Sequence, residues 1–189
     1  MTERIERMRQ FFVVDQGQKA MWQKEENTYV LAEQFAAEQI PDVDRAARRL
    51  IYVLDKEEPV LFEDERIAFT RTVTTIPEIF TEAEMEELRK EHWIHEKGDV
   101  CNISVDYTKL LNQGFDAKKA ELEAFRQQFT QAGESVKAHN IKLQIDILDH
   151  VLALAARYQE LAEKKGNDVV ARTLKAVPAH APQSFLEAL

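Results

Sequence analysis

A single cysteine, Cys101, rules out any disulfide within the chain and fits a reducing compartment. Five glycines and five prolines in 189 residues are too few for turn-rich sandwiches or barrels and favour long helices instead. No apolar run approaches the length of a membrane span. The opening stretch, Met1 to Gln10, is charged throughout and has no apolar signal core, so a cytoplasmic location is expected. Positive charge is also in deficit. Lys and Arg number 25 against 34 Asp and Glu, for a net charge of −9, which disfavours attraction to nucleic-acid phosphates and to anionic lipid. There is no phosphate-binding glycine loop and no nucleophile elbow.

What the chain does have is helical periodicity over an apolar fraction of 44%, enough for a sizeable core. Thr2 is placed to cap a first helix reaching about Val14, with Ile5, Met8, Phe11 and Phe12 at helical spacing. A second is expected from Gln18 to Glu38, burying Met21, Trp22, Tyr29, Leu31, Phe35 and Ala36. A third opens at Pro41-Asp42, with Ala46, Leu50, Val53 and Leu54 as its apolar positions, and ends near Glu57-Glu58 because Pro59 disfavours helix before it. Arg45, Arg48 and Arg49 on this helix read as a solvated face. From Pro59 to Thr75 many β-branched residues predict an extended segment with a short strand or two. Thr81 and Glu84 form a capping box for a helix to about His92.

Gly98 to Ser104 reads as a loop. Helices are expected over Asp106–Gln113, stopped by Gly114, and over Asp116–Gln131, stopped by Gly133. Ser135 to Lys165 carries two apolar stripes, so this helix should be central and largely buried. Asn167 is placed to cap the next helix, which ends before Pro178. Ser184 with Glu187 starts a last one, and the chain stops about one turn later. Isolated turns are not stable, so the expectation is a mainly α chain over residues 1–189 that stops partway through a larger fold and does not catalyse a reaction alone.

Candidate chemistry is sparse. His92, Trp93 and His95 lie near Cys101, but their spacing matches no strong zinc signature and lacks a fourth ligand, so solvated histidines are the better reading. Cys101 itself has no nearby base in sequence and reads as a buried structural thiol. Asp146 and His150, four apart on the long helix and close to Asp149, could share a face as acid–base groups, although helix-surface ion pairing is far commoner.

Several passages, in order, resemble the N-terminal region of glycyl radical enzymes, the family of pyruvate formate-lyase and the cofactor-independent diol dehydratases. Glu3-Arg4-Ile5-Glu6-Arg7-Met8 resembles the usual opening, and Asp44-Arg45-Ala46-Ala47-Arg48-Arg49-Leu50 the family's small-and-basic helix. Pro59-Val60-Leu61-Phe62-Glu63-Asp64-Glu65-Arg66-Ile67 resembles "P-x-x-I-x-x-x-E-L-I-V-G", with Ala68-Phe69 in place of the Val-Gly end. Asn102 to Leu111 with Gly114-Phe115 resembles "G-H-x-x-x-D-Y-x-K-x-L-x-x-G", and Val177 to Ala188 resembles "V-P-x-x-P-x-x-S/T-F-x-E-A".

The resemblance implies a parent enzyme in which a glycyl radical oxidises a cysteine to a thiyl, which abstracts hydrogen from substrate inside an α/β barrel. The family's "G-C-x-E" and "R-V-x-G-[FYW]" motifs are both missing here, and Cys101 sits in Val100-Cys101-Asn102. The implied cofactor is therefore a glycyl radical of the parent and none in this chain. The implied partners are the remainder of the barrel and a radical S-adenosylmethionine activating enzyme, and pairing with a second copy is among the expected associations. Asn102, four residues before Asp106-Tyr107, falls where family members often carry a substrate-contacting Arg or His. Asn offers donors and an acceptor but no charge, so it could orient a hydroxyl or amide yet not pair with a carboxylate as Arg does; a loop Asn capping the helix at Asp106 is the plain alternative. Arg71, in Phe69-Thr70-Arg71-Thr72, is the weaker substrate candidate, for an anion. The rival expectation is a stand-alone helical interaction or regulatory protein.

Overall fold

The computed structural model describes residues 1–15, 28–62, 65–68, 76–91 and 106–189. Among these the chain is mainly helical and contains no strand. In order come α1 (Glu3–Arg9), a π-helical turn over Gln10–Val14, α2 (Val30–Ala37), α3 (Asp42–Lys56), α4 (Glu82–Lys90), α5 (Tyr107–Gln131), α6 (Ser135–Lys164), α7 (Asp168–Ala176) and α8 (Phe185–Ala188).

The caps read from the sequence are present. Thr2 Oγ1 accepts from the Ile5 amide, Asp106 from Thr108, Asn167 from Val170 and Ser184 from Glu187. Thr81 and Glu84 make the reciprocal capping box at α4. α3 ends at Lys56 with Glu57 as its extended C-cap, in keeping with Pro59 two residues on. Of the helix expected from Gln18, residues 18–27 lie outside the described residues; Thr28 and Tyr29 form a turn, and α2 starts only at Val30, where Leu31, Ala32 and Phe35 are buried.

α6 is the central element and packs against α3, α5 and α7. Its interior face carries Ile145, Leu154, Ala155, Tyr158 and Ala162. Burial is concentrated in its second half. Val136, in the first turn, is 72% exposed, so the helix is central but not buried along its whole length. Ala162 joins Leu61 and Val170 in a core cluster flanked by Ala68, Leu161, Ala171 and Leu174. Tyr158 is enclosed; burial raises its phenol above the ordinary value, and a backbone hydrogen bond at Val60 pulls the other way.

α3 and α6 run in the same direction along a polar seam. Asp44 faces His139 at 3.0 Å and Asp55 faces His150 at 2.6 Å. Beyond them the Arg157 guanidinium donates to the carbonyls of Leu54 (2.6 Å), Asp55 (3.1 Å) and Glu57 (3.1 Å). One side chain from α6 thus satisfies the orphan carbonyls at the end of α3, where the helix dipole also favours a cation.

Several expectations are corrected. Arg45 is not on a solvated face: it is 5% exposed, whereas Ala46 and Leu50, the expected inward positions, face solvent. The physical reason is a set of acceptors supplied by other segments. Arg45 Nε donates to Ile40 O (2.8 Å), Nη1 to Ile79 O (3.1 Å), and Nη1 and Nη2 to the Glu84 carboxylate (3.1 and 3.0 Å), while the guanidinium lies over Phe80 at 5.3 Å. Ile5 and Phe12 are also more exposed than their spacing suggested, although Phe11, Phe12 and Phe62 pack edge to face.

Where it is described, the segment after Pro59 forms no strand, because its backbone groups bond side chains rather than a ladder. Lys165 Nζ donates to Leu61 O (2.6 Å), Asn167 Nδ2 to Glu65 O (2.8 Å), and the Phe62 amide to the Glu65 carboxylate (2.9 Å).

Glu84 serves two structures at once, closing the α4 capping box and holding Arg45. The Arg45 hydrogen bond, opposed by burial and aided by bonds from Thr81, holds its carboxyl below the ordinary range. A carboxyl with a lowered folded pKa contributes stability in full above its unfolded pKa, and loses it as pH falls through the folded value. Melting wild type and Glu84→Gln from pH 6 down to 3 should therefore show a wild-type advantage that is constant at first and shrinks below about pH 4. An advantage that stayed constant to pH 3 would mean that the ionised carboxylate does not hold the brace.

Candidate functional site

Three of the five passages that carried the family resemblance, those around Ile67, Gly114 and Pro178, are remote in sequence but meet in space. α5 has helical backbone on both sides of Gly114, which itself sits at φ 75° and ψ 176°. At this break the Phe115 amide donates to Pro178 O and the Asp116 amide to Ala179 O, both at 2.9 Å. Gly114 is buried, and a Cβ built there would lie 2.4 Å from Ala179 O and 2.5 Å from the carbonyl carbon of His180. The Gly-Phe pair that ends one motif is thereby laid directly on the Val-Pro-Ala-His start of the other. A glycine is needed twice over, for the positive φ and for the close approach.

The 65–68 segment arrives beside them, tied by Asn167 to the start of α7. Together these three pieces surround a half-open groove of about 190 Å³. Its walls are mostly apolar: Ile67 and Ala68 from the extended segment, Leu110 and Leu111 from α5, Leu174 and Val177 from α7 and its end, and Leu186 and Leu189 at α8. Arg66 and Glu187 supply its charged groups, and His180 lines it as well. His180 faces Asp116 at 3.5 Å, and the Glu187 carboxylate accepts from the Gln183 amide at 2.5 Å.

No arrangement for nucleophilic or acid–base catalysis is assembled here. Among the described residues no group of three or more His, Cys, Asp or Glu is placed to hold a metal ion. The groove is lined mainly by apolar side chains held between segments of α5, α7 and the 65–68 stretch.

The sequence-predicted sites divide cleanly. Asn102 and Arg71, the two substrate candidates, lie outside the described residues, as do His92, Trp93, His95 and Cys101. Asp146 and His150 do not act together: Asp146 pairs with Lys142 at 2.5 Å, and His150 turns across to Asp55 on α3. Asp149 pairs with Lys119 of α5, whose ammonium pKa is raised by that hydrogen bond despite slight desolvation. Lys142–Asp146 is the adjacent-turn pair that such spacings commonly make, and the other two are contacts between helices. Arg66, beside the groove, carries no sequence signal other than its place at the end of the Pro59–Ile67 passage.

The family model described as "Pyruvate formate lyase-like" matches residues 74–189, more than half of the chain. The matched range contains both motifs that dock at Gly114; the passages at 3–8, 44–50 and 59–67 lie upstream of it. The chain belongs to the pyruvate formate lyase-like family and is thereby related to the glycyl radical enzymes. No curated protein and no solved structure matches it.

Proposed function

We propose that this chain is the helical N-terminal part of a glycyl radical enzyme, a lyase, dehydratase, decarboxylase or acyltransferase acting by radical chemistry, and that it is inactive by itself. The observation that carries this reading is the family match across residues 74–189, which spans the two motifs joined at Gly114. The sequence has neither the cysteine motif nor the glycine motif of the family. Hydrogen abstraction would therefore fall to residues of the remaining barrel, and the glycyl radical to an activating enzyme of the radical S-adenosylmethionine type under anaerobic conditions. The contribution of this chain would be to buttress the barrel and to present Asn102, with Arg71 in second place, to substrate. Among the described residues no helix is long and apolar enough to cross a membrane, which accords with a cytoplasmic enzyme.

The first test is the mass of the native protein in its source cells, detected with an antibody to this segment. A band far above 21.9 kDa is expected. A band at 21.9 kDa would favour a stand-alone helical interaction or regulatory protein and sink the enzyme reading.

A second test addresses the substrate shell. In the parent enzyme Asn102→Ala should lower turnover roughly tenfold or more, the loss of about one to two kcal/mol of hydrogen bonding to a reacting substrate, while the melting temperature stays unchanged. Unaltered kinetics would remove Asn102 from contact with substrate.

A further inference from the structure

We draw no further inference here: the strongest candidate, the half-open apolar groove between residues 66–68, the first turns of α5 and the α7–α8 end, carries nothing because its charged groups are of both signs and nothing in the structure shows what covers it.

Discussion

Gly114→Ala is expected to destabilise the molecule by about 2–6 kcal/mol. Two costs add. A non-glycine residue at φ 75° with ψ near 180° is strained by roughly 1–3 kcal/mol. The new methyl also meets backbone, at Ala179 O and the His180 carbonyl carbon, rather than a flexible side chain that could step aside. Forcing extra volume into such a contact costs typically about 1–3 kcal/mol. Gly133 and Gly166 provide internal controls, for both have positive φ but nothing within 4 Å of a built Cβ. Their Ala variants should lose only about 1 kcal/mol, the conformational part alone. Urea unfolding of the three variants measures the difference directly, and hydrogen exchange at the Phe115 and Asp116 amides reports whether the docking bonds have opened. If Gly114→Ala lost no more than the controls, the 177–180 segment would be free to move off and would not be what fixes the break in α5.

The second large effect is expected at Arg45. Arg45→Ala leaves the carbonyls of Ile40 and Ile79 and one face of the Glu84 carboxylate without their donor. Breaking a buried charged network by removing one partner costs about 3–5 kcal/mol where both groups are enclosed. Glu84 keeps a third of its side-chain surface in water, so about 2–3 kcal/mol is the appropriate range here. Arg45→Lys separates charge from shape. An ammonium can stay close to Glu84 but cannot reach three acceptors in the plane of a guanidinium, so it should recover less than half of the loss. Thermal or urea melts decide this. Full rescue by Lys would show that net charge, and not the fork of hydrogen bonds, holds α3 to the start of α4.

The sequence made the helices and their ends legible, because the determinants are local. Thr2, Thr81, Asp106, Asn167 and Ser184 lie within three residues of the amides they cap, and Gly114 and Gly133 stop helices by their own backbone. The burial of Arg45 is not legible for the opposite reason. Its acceptors at Ile79 and Glu84 lie 34 and 39 residues away, and no pattern within α3 announces them. The β-branched residues after Pro59 predict an extended segment with a short strand or two. The acceptors of Leu61 and Glu65 meet Lys165 and Asn167 about a hundred residues later, a pairing that no local propensity encodes. The site was legible only as a set of resembling passages. That they converge on one groove depends on the backbone path at Gly114, which the glycine alone suggested as a stop and not as a docking point.

The same contacts divide the molecule by the length of chain each must close. α5, α6 and α7 follow one another through short connections, so their contacts form between near neighbours and carry little loop-closure entropy. The α3–α6 seam joins residues 95 to 103 positions apart, at Asp44–His139, Asp55–His150 and Leu54–Arg157. Contacts of such separation form late, after the local helices have already paid their ordering cost. Assembly is therefore expected to run backwards along the chain, with the C-terminal helices as the platform and the Arg157 side chain as the anchor onto which α3 is drawn.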